Sequence, residues 1–278
     1  MKALKNGLVA ATGLLLFVAP LQAQEAADKW QYNFFNPTPK ELMKELDTDR
    51  PDRTESPRSV DAGHFQVEAD IVSYFQEGTD NESLFSNLNL KLGLTNNVDL
   101  QLIVPAYTLS NTIDKDGKAV SSGGLGDIAI RLKTNLFGND QGPVAMGLMP
   151  WVKFPTGNGN NGAIEGGLIM PFAVDLPLDF GLGFMFEADL MKNDADANYH
   201  TELVSSITFG HDIIGDLSGY VELWSLASSE AGAEWQATFD LGINYLLTPD
   251  LKLDAGINIG LTPATDDFNP FLGVTYRY

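Results

Sequence analysis

Leu251-Lys252-Leu253-Asp254-Ala255-Gly256-Ile257-Asn258-Ile259 puts an apolar residue at every odd position and a polar residue or glycine at every even one. Side chains of a β-strand point alternately to opposite faces, so this is a ribbon with one greasy side and one wet side. The same two-residue period recurs upstream from His64 onward. Phe65, Val67, Ala69 and Ile71 alternate with Gln66, Glu68 and Asp70. Further ribbons start near Leu84, Val98, Ile128, Val144, Leu168, Phe180, Tyr199, Leu217 and Trp235, and the last runs from Phe268 to Tyr278. Each is about ten residues long and bounded by turn-forming residues. About twelve antiparallel strands are therefore expected over residues 64–278.

The apolar positions of these ribbons carry no charge, whereas the opposite face is polar and rich in glycine. A charge facing lipid near the bilayer midplane costs ~2–4 kcal/mol, so a membrane barrel excludes it. A soluble sandwich tolerates such charges at strand ends. The connections also alternate in length: Thr95-Asn96-Asn97, Gly138 to Gly142, Leu176 to Asp179 and Leu247 to Asp250 are short, and Gln76 to Ser83, Thr108 to Gly124 and Pro155 to Gly166 are longer. Short periplasmic turns and long external loops are the habit of outer-membrane barrels. The fold expected is an all-β, up-and-down transmembrane barrel, its lumen lined by the polar face. Tyr107, Trp151, Phe154, Tyr199, Trp235, Tyr245, Phe268, Tyr276 and Tyr278 stand near strand ends, where aromatic girdles form.

The N-terminus fits export. Lys2 and Lys5 precede the apolar run Leu8 to Leu21, and Leu21-Gln22-Ala23 supplies a small residue for cleavage. That run is too short to cross ~30 Å of hydrocarbon as a helix, so residues 1–23 read as a signal peptide. Residues 24–63 lack the alternation. They are expected to form a periplasmic segment, with a short amphipathic helix between Pro39 and Leu46, and to gate or plug the barrel from below. No cysteine occurs, which excludes disulfide staples, thiolate metal sites and cysteine nucleophiles.

The chain carries a formal charge of −20. Without Lys2 and Lys5 it holds 15 basic against 37 acidic side chains, or −22. Such a surface repels phosphate backbones and excludes nucleic-acid binding. Much of the acid falls in the longer connections, at Glu77, Asp80, Asp116, Asp194, Asp196, Asp266 and Asp267. There it either solvates the loops or binds divalent cations bridging an anionic leaflet.

A barrel of this size encloses a narrow lumen. Its polar series includes Glu68, Asp99, Arg131, Lys133, Lys153, Glu187, Asp189, Glu202, Glu222, Asp240, Lys252 and Asp254. Charges of both signs in a confined space must pair or be hydrated. Two readings stay open: a selectivity filter in which Arg131, Lys133 and Lys153 face the carboxylates, or a salt-bridged filling. Nothing in the sequence assembles a catalytic, metal or cofactor site. His200 sits beside the polar series, where a rim or lumen hydrogen bond is its ordinary role, and Gly157 to Gly162 joins no strand to a helix, so it is no phosphate cradle.

Phe271-Leu272-Gly273-Val274-Thr275-Tyr276-Arg277-Tyr278 resembles the C-terminal signal read by the barrel-assembly machinery, with Gly273, Tyr276 and Tyr278 in the matching places. Thr48-Asp49-Arg50-Pro51-Asp52-Arg53-Thr54-Glu55-Ser56-Pro57, followed by Gly63-His64-Phe65-Gln66-Val67-Glu68, resembles the opening of the phenol meta-pathway degradation family of outer-membrane proteins. Gly124-Leu125-Gly126-Asp127-Ile128, Arg131-Leu132-Lys133 and Lys153-Phe154-Pro155-Thr156-Gly157 are similar to that family as well. Arg53 stands where an aromatic is expected. The resemblance implies a barrel with a transport role, and it singles out Asp49, Arg50, Pro51, Thr54, Glu55, Ser56 and Pro57 as plug residues. The partners expected are outer-membrane lipid and lipopolysaccharide, the assembly machinery, and a small-molecule solute, hydrophobic or aromatic by analogy with the family. A closed structural or adhesive barrel and a lipid-modifying enzyme are the alternatives.

Overall fold

The structure, a computed structural model, describes residues 29–278 apart from 106, 114–117, 141, 159–161 and 194–195. The signal peptide, Asp116 and Asp194 lie outside the described residues. In chain order the strands are β1 (Phe65–Glu77), β2 (Asp80–Phe85), β3 (Leu88–Thr95), β4 (Val98–Val104), β5 (Tyr107–Ile113), β6 (Ala119–Leu125), β7 (Ile128–Phe137), β8 (Val144–Phe154), β9 (Glu165–Leu176), β10 (Phe180–Lys192), β11 (Tyr199–Ile214), β12 (Leu217–Ser228), β13 (Gln236–Thr248), β14 (Leu251–Gly260) and β15 (Phe268–Arg277).

Twelve of these close a ring, in the order β1, β3, β4, β7 and then β8 to β15, with β15 pairing back onto β1. Every pairing is antiparallel and joins chain neighbours, apart from the closing one and the broken strands described next. The register Gln66↔Arg277 to Ser73↔Phe271 seals the seam, and Tyr278 and Phe65 exchange backbone hydrogen bonds at its C-terminal end. Within this ring every strand has a partner on both sides, so none presents an open edge to lipid.

Thr108 to Gly124, expected as a loop, is instead mostly strand. β2, β5 and β6 run on from β3, β4 and β7 and pair with each other and with the upper half of β1. Ser86, at φ 60°, interrupts the first of these lines. Pro105 interrupts the second, because it lacks an N–H for the ladder, and Gly126-Asp127 the third. The extension escaped sequence reading although β5 alternates Tyr107, Leu109 and Ile113 with Thr108, Ser110 and Thr112; β6, with Ser121, Ser122, Gly123 and Gly124 in succession, carries no such period. The helix expected from Pro39 to Leu46 shrinks to one 3₁₀ turn, Lys40–Leu42. Met43 is already extended, and the Lys44 amide turns to the Asp61 carboxylate.

Burial is inverted relative to a water-soluble protein. Leu100, Ile130, Leu132, Leu203, Val221, Leu223, Leu241 and Leu272 are exposed on the outside. Their alternate neighbours Asp99, Gln101, Lys133, Glu222, Asp240, Asp254 and Thr275 are buried in the interior. A continuous apolar exterior of this extent marks a lipid-facing surface. Trp151 departs from the girdle expected of it and turns inward.

The expectation of a wholly polar lumen needs a second correction. Met149, Ile169, Met185 and Val204, on four successive strands, form a buried apolar cluster inside, flanked by Trp151, Trp224 and Leu226. The sequence does carry a signal for it: Leu168-Ile169-Met170 and Phe184-Met185-Phe186 are apolar at consecutive positions, so both faces are greasy there.

Candidate functional site

Residues 47–62 form an irregular hairpin inside the ring, entering and leaving at the end where Phe65 and Tyr278 meet. Its entrance is fixed by ions. Lys29 bonds Asp61 at 3.2 Å and Asp140 at 2.7 Å, and Arg277 bonds Asp250 and the Lys44 carbonyl, both at 2.9 Å. Burial alone would push the Asp140 carboxyl up. Hydrogen bonds from Lys29 and Asn96, with the charges of Lys44 and Lys29, hold it below the usual carboxylate value.

Asp49 is the deepest ionic anchor. Its carboxylate lies between the ammonium groups of Lys91 and Lys133, all three nearly or fully buried. It also accepts the Ser56 amide at 3.0 Å, which ties the two limbs of the hairpin together, while its own amide donates to Glu68 at 3.1 Å. Arg50 reaches across the seam, bonding Asp70 on β1 and, at 2.7 Å, Asp254 on β14. Thr48 receives Lys252.

The tip is Asp52 to Glu55. The successive amides of Arg53 and Thr54 both donate to the Glu222 carboxylate at 2.8 Å, a backbone nest around an anion. The Thr54 hydroxyl adds a third bond to Glu222 and lies 2.6 Å from Ser206. Glu55 pairs with Arg131. The descending limb is held by Asn135 to the Pro57 carbonyl, Ser59 to Asn139 and Val60 to Asp99, each at 2.9 Å.

Inward glycines make room for this hairpin. A Cβ on Gly93 would stand 2.0 Å from the Asp61 carbonyl oxygen, and one on Gly273 would stand 2.1 Å from the Arg50 guanidinium. Gly273, singled out as part of the assembly signal, thus also borders the Arg50 seat. Tyr276 and Tyr278 of that signal face outward, exposed.

The expected lumen residues divide into two groups. Arg131, Lys133 and Glu222 meet the hairpin. Lys153, Glu187, Asp189 and Glu202 lie above its tip and pair within the wall: Lys153 with Glu165, Glu202 with His200 at 3.2 Å, and both Glu187 and Asp189 with the Trp151 indole N–H at 3.1 and 3.0 Å. The cations expected to face wall carboxylates thus face carboxylates of the hairpin in two cases of three. His200 is held between Asn193 and Glu202. Pro51 lines a cavity of about 370 Å³ below the tip, together with Asp52, Thr54, Tyr220 and Lys252. Sequence reading passed over Asp52, Ser59 and Asp61, which no periodicity marks, and noted Arg53 only as a departure from the family pattern.

Above the tip a second cavity, of about 130 Å³, is lined by Arg53, Trp224, Thr238 and Asp266 among others. The residues Asp52 to Glu55 therefore stand between a space toward the end of the ring that holds Tyr278 and one toward the opposite end.

A family model described as "Putative MetA-pathway of phenol degradation" matches residues 48–278, so the match takes in the hairpin as well as the barrel. Among solved structures the fold is similar to an outer membrane channel from Pseudomonas putida F1, with TM-score 0.59, 14% identity, 84% of this chain covered and 100% of that one. It is also similar to the NanC porin, with TM-score 0.51, 12% identity, 76% of this chain covered and 98% of that one. No curated protein matches the sequence.

Proposed function

Given that the chain belongs to this phenol-degradation MetA-pathway family, we propose that it is an outer-membrane channel for passive uptake of small molecules, closed at rest by its own N-terminal hairpin. The observation that carries the reading is the position of Asp52 to Glu55 between two cavities, held by Glu222, Ser206 and Arg131. The lipid-facing exterior and the likeness to channel and porin folds support the location and the class.

The lumen offers a solute two surfaces. One is the apolar cluster of Met149, Ile169, Met185 and Val204, and the other is the set of paired charges around it. That mixture suits small amphipathic molecules with an apolar or aromatic body and a polar group. Diffusion requires the tip to leave Glu222, because its bonds to Glu222, Ser206 and Arg131 hold it between the two cavities.

Conductance in planar bilayers tests this. The mature chain should show small, infrequent openings, and removal of residues 24–60 should raise single-channel conductance several-fold. Equal conductance in both would remove the hairpin as the plug. Silence in both would favour a sealed structural barrel, a reading that the dense pairing of lumen charges otherwise supports.

A further inference from the structure

Of the tip residues, Arg53 alone lines the second cavity. Its guanidinium carbon sits 4.3 Å from the centre of the Trp224 ring, a cation–π arrangement. Its Nε is 3.8 Å from Asp240 Oδ2, attractive but too long for a hydrogen bond. Asp240 is fully buried. Oδ2 accepts Thr238 at 3.0 Å, and Oδ1 has no hydrogen-bond partner. Directly opposite on the neighbouring strand stands Glu222, itself buried. An aromatic face and the buried Asp240 carboxylate thus share one loosely held cation, with the Glu222 carboxyl group alongside.

Beside that cation lies the cavity of about 130 Å³, whose rim adds Glu77 and Asp266. One water needs ~10–15 Å³ of such space, so the cavity admits several waters or a small charged head group. Arg53 is the only cation among its lining residues. An anion arriving there would meet four carboxylates, counting Asp240 and Glu222 behind the wall; a cation would meet the chemistry that already attracts Arg53.

We infer that Trp224 and Asp240, with Glu222 behind them, form a subsite for the cationic head of a solute, a guanidinium or a primary ammonium, and that Arg53 is its tethered resident. This rests on the channel reading above and adds to it a solute class and a first step that weakens the hold on the plug. A solute cation that replaces Arg53 on the indole leaves the tip held by its backbone bonds to Glu222 and by Thr54, so the plug is loosened rather than expelled.

The test separates binding from conduction. In a protein whose Trp30, Trp151 and Trp235 are changed to Phe, Trp224 is the only fluorophore of its kind. Detergent-solubilised protein is titrated with guanidinium, ethylammonium, acetate and urea, the last a neutral isostere of guanidinium, all at millimolar concentrations far below denaturing ones. Saturable changes in Trp224 emission are expected with the two cations and none with acetate or urea. Arg53→Gln removes the tethered competitor and should tighten apparent cation affinity about tenfold. Asp240→Asn should abolish the response, and the Arg53→Gln titration still decides the matter if that variant fails to fold. Unsaturable responses, equal responses to urea, or no gain in Arg53→Gln would overturn the subsite. Saturable binding in a protein that never conducts would instead overturn the channel and leave the subsite standing.

Discussion

Along β12, Val221 and Leu223 face outward, 44% and 51% exposed, while Glu222 between them is 1% exposed and binds the backbone of residues 53 and 54. The two faces of one strand are recognised in different ways. Lipid is the same everywhere, so the outer face needs only to be apolar and uncharged, and many residues serve equally. The inner face meets a single irregular segment, so each of its residues has one particular partner. Substitutions outside should therefore be judged by type and depth, and those inside by identity.

The sharpest way to break this contrast is Asp49→Ala. It leaves the ammonium groups of Lys91 and Lys133, with side chains 2% and 1% exposed, without their shared carboxylate. Removing one partner of a buried pair costs about 3–5 kcal/mol, which a shifted urea midpoint in vesicles should register. Asn in place of Ala should recover little, since it brings no charge. On the other face, Leu223→Arg places a cation near the bilayer midplane. It should cost about 2–4 kcal/mol, whereas Leu223→Phe should be nearly silent in the same unfolding assay.

A smaller effect is expected from Gly93→Ala. One methyl must displace the Asp61 backbone, a crowding of about 1–3 kcal/mol. The chain has no cysteine, so Ser56→Cys makes a clean reporter. Its maleimide labelling should be slow in the parent and faster with Gly93→Ala. Unchanged labelling would mean that the glycine does not seat the hairpin.

The smallest effect belongs to the rim. The folded Asp140 carboxyl titrates below its usual value. Its stabilising contribution is therefore complete above the ordinary carboxylate pKa of about 3.9 and fades as the pH falls through the lower, folded value. Melting compared at pH 7 and pH 3 should show a slightly larger acid loss in the parent than in Asp140→Asn. Because Asp140 is partly solvated, the difference should shrink further in high salt.

Legibility in the sequence follows the same division. The ribbon Leu251 to Ile259 coincides with β14, and the other ring strands begin and end close to where their alternation does, because lipid enforces the pattern at every second residue. The pattern is lost in β6, where Ser121, Ser122, Gly123 and Gly124 follow one another. The hairpin was legible as a distinct, charged, proline-bearing stretch, but its contacts were not. Asp49 meets Lys133, Arg50 meets Asp254 and Thr54 meets Glu222 at separations of 84, 204 and 168 residues. No local period encodes such pairings. The apolar cluster inside lay in plain view as two runs of three greasy residues, read as one face when it was two.

Arg50 bonds Asp70 on β1 and Asp254 on β14, with Gly273 of β15 leaving space between them. Those three strands become neighbours only when the first and last strands of the ring meet. The docking place of Arg50 therefore does not exist while the barrel is an open ribbon. The residues that come first in the folded chain are among the last to settle, like a button that can be fastened only after both edges of the garment have been brought together.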